Sequence, residues 1–165
     1  MALTHRLIVV GLVLAFSSGL GAQGKTPCEL LKITDLPPVA GATHIKDGVA
    51  EKPDSLGTAW CHYQWGTGGN ATNGKYSLDV AIGDQAKMWP GLTIAVIKQG
   101  LLHMSNVTEI PGVGDGSILQ SNRAIEITTM TLIKGRLLTL TYEGQDAQKK
   151  KDGLIALTKL AVSRM

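Results

Sequence analysis

The chain has little of what usually marks an enzyme or a membrane protein. Cys28 and Cys61 are its only thiols, too far apart for a Cys-x-x-Cys redox pair and too few for a zinc cluster. His44, His62 and His103 are scattered without ligand spacing, so no metal or cofactor is implied. No strand-to-helix nucleophile elbow and no oxyanion loop can be read. The uncharged run from Leu7 to Phe16 falls short of the roughly 20 apolar residues that span a bilayer. Charged residues make up 18% of the chain and the formal net charge is +3, which is too mild a balance for a nucleic-acid partner.

What is present begins with a leader. His5-Arg6 precedes the apolar run, and small residues ending in Ala22-Gln23-Gly24 follow it, the layout of a secretory signal peptide. Cleavage is expected after Gly24, with Gly21 as the second choice. Residues 25–165 then form a single periplasmic or secreted domain with room for one core. The leader carries Arg6 and no acid, so its loss lowers the net charge by one. A lipid anchor would need Cys directly after the small residues, where Gln23 stands, and no stable membrane anchor is expected after cleavage. An even pair of cysteines in an oxidising compartment reads as a disulfide, Cys28 to Cys61. By closing about 34 residues it would stabilise the fold by roughly 3–4 kcal/mol.

The stretch from Ile110 to Glu143 organises the rest. Residues 124–133 and 136–142 are rich in Ile, Thr and Tyr and suit two strands joined at Lys134-Gly135. A two-residue loop sets Ile133 opposite Arg136, Thr131 by Leu138, Thr129 by Leu140 and Ile127 by Tyr142. Ile125, Ile127, Leu138, Leu140 and Tyr142 then share the core face. Met130, Leu132 and Leu137 on the other face imply partial cover there as well. Lys134 would have to accept a positive φ, and a longer, bulged turn is the alternative.

A second hairpin is expected from residues 58–65 and 76–82 around a Gly- and Asn-rich loop. Pairing Trp65 with Tyr76 brings Tyr63 to Leu78 and Cys61 to Val80. Thr26-Pro27-Cys28-Glu29 reads as a capping box opening a helix that stops before Pro37-Pro38. From Val39 to Gly57 a loop is expected. Asp84 should cap a helix disturbed at Pro90-Gly91 and resuming to about Met104, with Ile94, Ile97, Leu101 and Met104 at helical spacing. Asp146 or Asp152 should cap a closing helix with the stripe Leu154, Leu157 and Ala161. The fold class is therefore α+β: an antiparallel sheet flanked by N-terminal, central and C-terminal helices, with one disulfide.

The second hairpin also carries the candidate site. Its register turns Trp60, His62 and Gln64 outward with Ser77, Asp79 and Ala81, and sets His62 opposite Asp79. A Trp among polar groups suits contact with a protein partner or small ligand, which makes Trp60, His62, Gln64 and Asp79 a candidate binding face. The alternative is a hydrolase in which Asp79 orients His62 and His62 activates Ser77. Gly112-Val113-Gly114-Asp115-Gly116 looks like a phosphate loop, but extended residues rather than a helix follow it, so the glycines shape a turn.

Pro27-Cys28-Glu29-Leu30-Leu31, Cys61-His62-Tyr63, Ile110-Pro111-Gly112-Val113-Gly114-Asp115 and the closing Leu157 to Leu160-Ala161 together resemble a broad group of uncharacterised bacterial exported proteins and lipoproteins, grouped as domains of unknown function. The resemblance spans most of residues 25–165. The chain departs from it in lacking a lipobox and in having Pro37-Pro38 where a second short helix is expected. The layout is similar to that of the extrinsic photosystem subunit and the Ran-binding Mog proteins. That likeness implies a non-enzymatic binding or scaffold module in the cell envelope, with no family active site to carry over.

Overall fold

A two-residue turn fixes the register of the sheet. In the computed structural model, which describes residues 25–41, 44–66, 76–99 and 104–165 (backbone alone at 94, 97 and 98), Lys134 has φ 49° and Gly135 φ 75°. This is the primed geometry that matches strand twist. Lys134 tolerates it because its backbone N–H donates to Asp115 Oδ2 at 2.7 Å, while the Asp115 N–H donates to the Leu132 carbonyl. Strands β6 (Glu126–Ile133) and β7 (Arg136–Glu143) leave this turn with Ile133 opposite Arg136 and Ile127 opposite Tyr142, as expected.

The second hairpin joins this ribbon directly. β2 (Ala59–Trp65) and β3 (Tyr76–Asp84) pair with Trp65 opposite Tyr76 and Cys61 opposite Val80, and β3 continues onto β7. With β1 (Val49–Glu51), β4 (Val107–Glu109) and β5 (Gly116–Arg123), the described residues form one antiparallel sheet in the order β1-β2-β3-β7-β6-β5-β4. Among the described residues five α-helical segments accompany it: α1 (Pro27–Leu30), α2 (Pro37–Ala40), α3 (Gln85–Met88), α4 (Ile94–Gln99) and α5 (Lys151–Ser163). The α+β architecture and the disulfide are both present.

The inner face of the sheet holds the main core. Leu78, Val80, Ile127, Leu138, Leu140 and Tyr142 are buried there against Leu154, Leu157 and Ala161 of α5. Two hydroxyl pairs lie among them. Thr129 Oγ1 sits 2.7 Å from Thr158 Oγ1, and Ser117 Oγ sits 2.7 Å from Thr131 Oγ1. Left single, each buried hydroxyl would cost about 1–3 kcal/mol. The outer face is covered only in part: Leu92, Val107, Ile118, Leu132 and Leu137 cluster there with Met88 and Met130.

The disulfide and the side chains of Tyr63 and Arg164 hold the leading segment to this body. Cys28 of α1 is joined to Cys61 of β2, with Cα atoms 5.2 Å apart. The Tyr63 hydroxyl donates to the Leu31 carbonyl. From the far end, Arg164 donates to the Leu30 carbonyl at 2.7 Å and forks onto both Asp35 oxygens, holding the Asp35 carboxyl below its usual range. Glu29 accepts from the Thr26 N–H at 2.7 Å, as the capping box requires.

Several expectations need correction. The stretch from Val39 to Gly57 is not all loop: α2 reaches Ala40 and β1 lies within it. The first helix does stop before Pro37-Pro38, at Leu30, but a second short helix is present: Pro37 and Pro38 begin α2, because the first helical positions need no backbone N–H. Ile125 is 51% exposed, since β6 begins at Glu126 and Ile125 lies in the β5–β6 turn. Met104 is likewise exposed. Asp146 caps nothing through its side chain; it accepts from the Tyr142 hydroxyl at 2.5 Å and pairs with Lys150. The leader, the loop centre at 67–75, His103 and the side chains of Ile94, Ile97 and Leu101 lie outside the described residues.

Two stability outcomes follow. Replacing both cysteines by Ser should lower the unfolding free energy by roughly 3 kcal/mol, read from urea titration. Gly-to-Ala inside a helix normally stabilises by up to about 1 kcal/mol. At Gly153 the sign should reverse, because a Cβ would stand 2.3 Å from the Pro38 carbonyl oxygen; a raised melting temperature for Gly153→Ala would contradict this packing of α5 on α2.

Candidate functional site

Strand alternation brings the outward residues together as a cross-strand patch. His62 is directly opposite Asp79 on β3 and Val49 on β1, and Trp60 is opposite Glu51. Residues opposite one another in an antiparallel pair point to the same side, so Val49, Glu51, Trp60, His62 and Asp79 share the outer face. Sequence reading found Trp60, His62, Gln64 and Asp79 but missed Val49 and Glu51. Three residues of strand in a Gly-, Pro- and charge-rich stretch give too short an alternation to register.

His62 is held from three sides. Its Nδ1 is 2.7 Å from Asp79 Oδ1, and its ring lies parallel to the Trp60 indole, with centroids 6.0 Å apart and planes 4° apart. Nε2 faces Glu51 Oε1 at 3.4 Å. With the imidazole protonated that contact is an ion pair; Nε2 is shielded from solvent and makes no hydrogen bond. Burial works against charge on the imidazole. The hydrogen bond and charge of Asp79, with the charge of Glu51, outweigh it and hold the His62 pKa above its ordinary 6.5.

Ser77 does not join this arrangement. It stands opposite Gln64, two pairs along from His62, and neither imidazole nitrogen bonds to it: Nδ1 is taken by Asp79 and Nε2 has no hydrogen-bond partner. The nucleophile–base contact that an acyl-transfer triad uses is therefore not formed here. Trp60 is half-buried, while Gln64 is exposed.

Beside His62 a groove of about 350 Å³ opens, lined by Lys46, Asp47, Val49, Glu51, His62 and Gln64. A smaller hollow of about 170 Å³ between Val39, Trp65, Tyr76 and Tyr142 is aromatic, but Trp65 and Tyr142 are core residues and the nearby Asp146 carboxylate is already engaged. Among the described residues no group of three or more His, Cys, Asp or Glu side chains is placed to hold a metal ion. Asp115 serves the turn, and a strand follows the glycines around it. No protein-family model, curated protein or solved structure matches the chain.

The raised His62 pKa gives a signed pH dependence. The stability it contributes is fully present below the unfolded value near 6.5 and is lost as pH rises through the higher folded value. In NMR titration the His62 ring protons should show a midpoint above 6.5. Asp79→Asn should lower that midpoint; an unchanged midpoint would remove Asp79 as the partner that holds the proton.

Proposed function

We propose that this chain is an exported, non-enzymatic domain, periplasmic or secreted, that binds a protein partner or small ligand in the cell envelope. The binding face is the open part of the outer sheet, built from Trp60, His62, Gln64 and Asp79 and bordered by β1. The observation that carries this reading is the fixed Trp60–His62 stack beside an open groove. Planar side chains already immobilised by their neighbours lose little entropy when a partner covers them, and Trp is among the residues that dominate interface energies.

Export is supported by the amino-terminal sequence and by the Cys28–Cys61 bridge, since disulfides persist in oxidising compartments. A binding role accords with a His62 whose hydrogen bond goes to a carboxylate and not to a nucleophile.

The test is affinity capture from envelope extract with the wild-type protein and with Trp60→Ala as bait. Truncating a central Trp typically costs about 2 kcal/mol or more of binding, roughly thirtyfold in affinity. Partners recovered by the wild type should therefore be depleted with the variant. Equal recovery by both baits would dismiss this face.

A further inference from the structure

We infer that the free edge of β1 receives an added strand: an extended peptide segment of the partner that sets an apolar side chain against Val49 and a lysine or arginine against Glu51. The inference rests on the binding face proposed above and names the chemistry of what binds there.

The sheet order begins at β1, so among the described residues no strand pairs with its outer side. An edge of this kind presents backbone N–H and C=O groups ready to pair with another chain, and strand addition is a recurring mode of peptide recognition. The two edges of this sheet differ. At β4 the apolar residue, Val107, is 8% exposed and packs in the outer cluster with Leu92 and Ile118. At β1, Val49 is 62% exposed and lines the open groove.

Charge selects the occupant. Around the groove the carboxylates of Asp47, Glu51 and Asp79 outnumber the cations Lys46 and His62, even with His62 protonated between Asp79 at 2.7 Å and Glu51 at 3.4 Å. The Glu51 side chain is 60% exposed and projects on the same face as Val49. A second copy of this chain paired antiparallel through the two Val49 residues would set Glu51 against Asp47 of the other copy. Like charges directly opposite destabilise a pair, whereas opposite charges favour it. A basic, alternating peptide meets both requirements: its cation faces Glu51 and its apolar residue covers Val49.

The probe is a synthetic nonapeptide, Lys-Thr-Val-Thr-Lys-Thr-Val-Thr-Lys, titrated calorimetrically into the purified protein and followed by amide shifts. Three controls accompany it: the same peptide with Glu for Lys, and two forms N-methylated on alternate residues in either phase. The lysine peptide should bind saturably with shifts centred on residues 49–51, and the glutamate peptide at least tenfold more weakly. Glu51→Lys, a change at an exposed position, should reverse that preference. One N-methylated phase should abolish binding and the other should not, because only alternate amides face the edge. Failure of the lysine peptide to bind, equal binding of both charge forms, or indifference to both methylation phases would overturn strand addition. If the wild-type protein ignores the peptide while Trp60→Ala still loses its captured partners, strand addition falls and the binding face stands. If the peptide binds with the expected reversal while capture is unchanged, the edge stands and the Trp60 face falls.

Discussion

The link between Cys28 and Cys61 is the constraint on which the architecture depends. α1 is one turn long, far below the length at which a helix holds itself together in water, so its place has to be imposed from outside. The sulfur bridge imposes it covalently, Tyr63 imposes it through the Leu31 carbonyl, and Arg164 does so from the other end of the chain. Leu30, Leu31 and Leu36 are thereby kept fully buried on the inner side of the sheet. Among the described residues, that side is filled by α1, α2 and α5.

The two sides of the sheet thus have different work. Inside, even the polar residues are satisfied internally, as the Thr129–Thr158 and Ser117–Thr131 pairs show. Outside, Met88 of α3 and Leu92 cover one part, while the β1–β2–β3 part keeps a half-exposed Trp, a His set between two carboxylates and, among the described residues, an unpaired strand edge. Under the function proposed above, polar groups already held in place on a sheet suit recognition, because little of them has to be ordered when something binds.

Much of this was legible in the residues. The registers of both hairpins follow from turn length and strict alternation, and Trp65 opposite Tyr76 and Ile127 opposite Tyr142 are found as read. The pairing of His62 with Asp79 follows from the same counting. What escaped was local structure set by tertiary context. Pro37-Pro38 reads as a helix stop until α5 supplies the surface that α2 packs on. Val49 to Glu51 is a strand only because β2 lies beside it. Ile125 looks like the start of an apolar alternation, yet the tight return from Arg123 to Glu126 takes it out of the strand. The carboxylate of Asp146 was lost to a Tyr four residues earlier, a partnership no local pattern reveals.

The position of the bridge also decides how the domain would bear a load. Tension applied ahead of Cys28 passes through sulfur straight into β2, in the interior of the sheet. The intervening chain, which includes α2 and β1, is a closed side loop that carries none of that force. A copy tethered or dragged by its leading end would therefore keep β1 in shape while β2 took the strain.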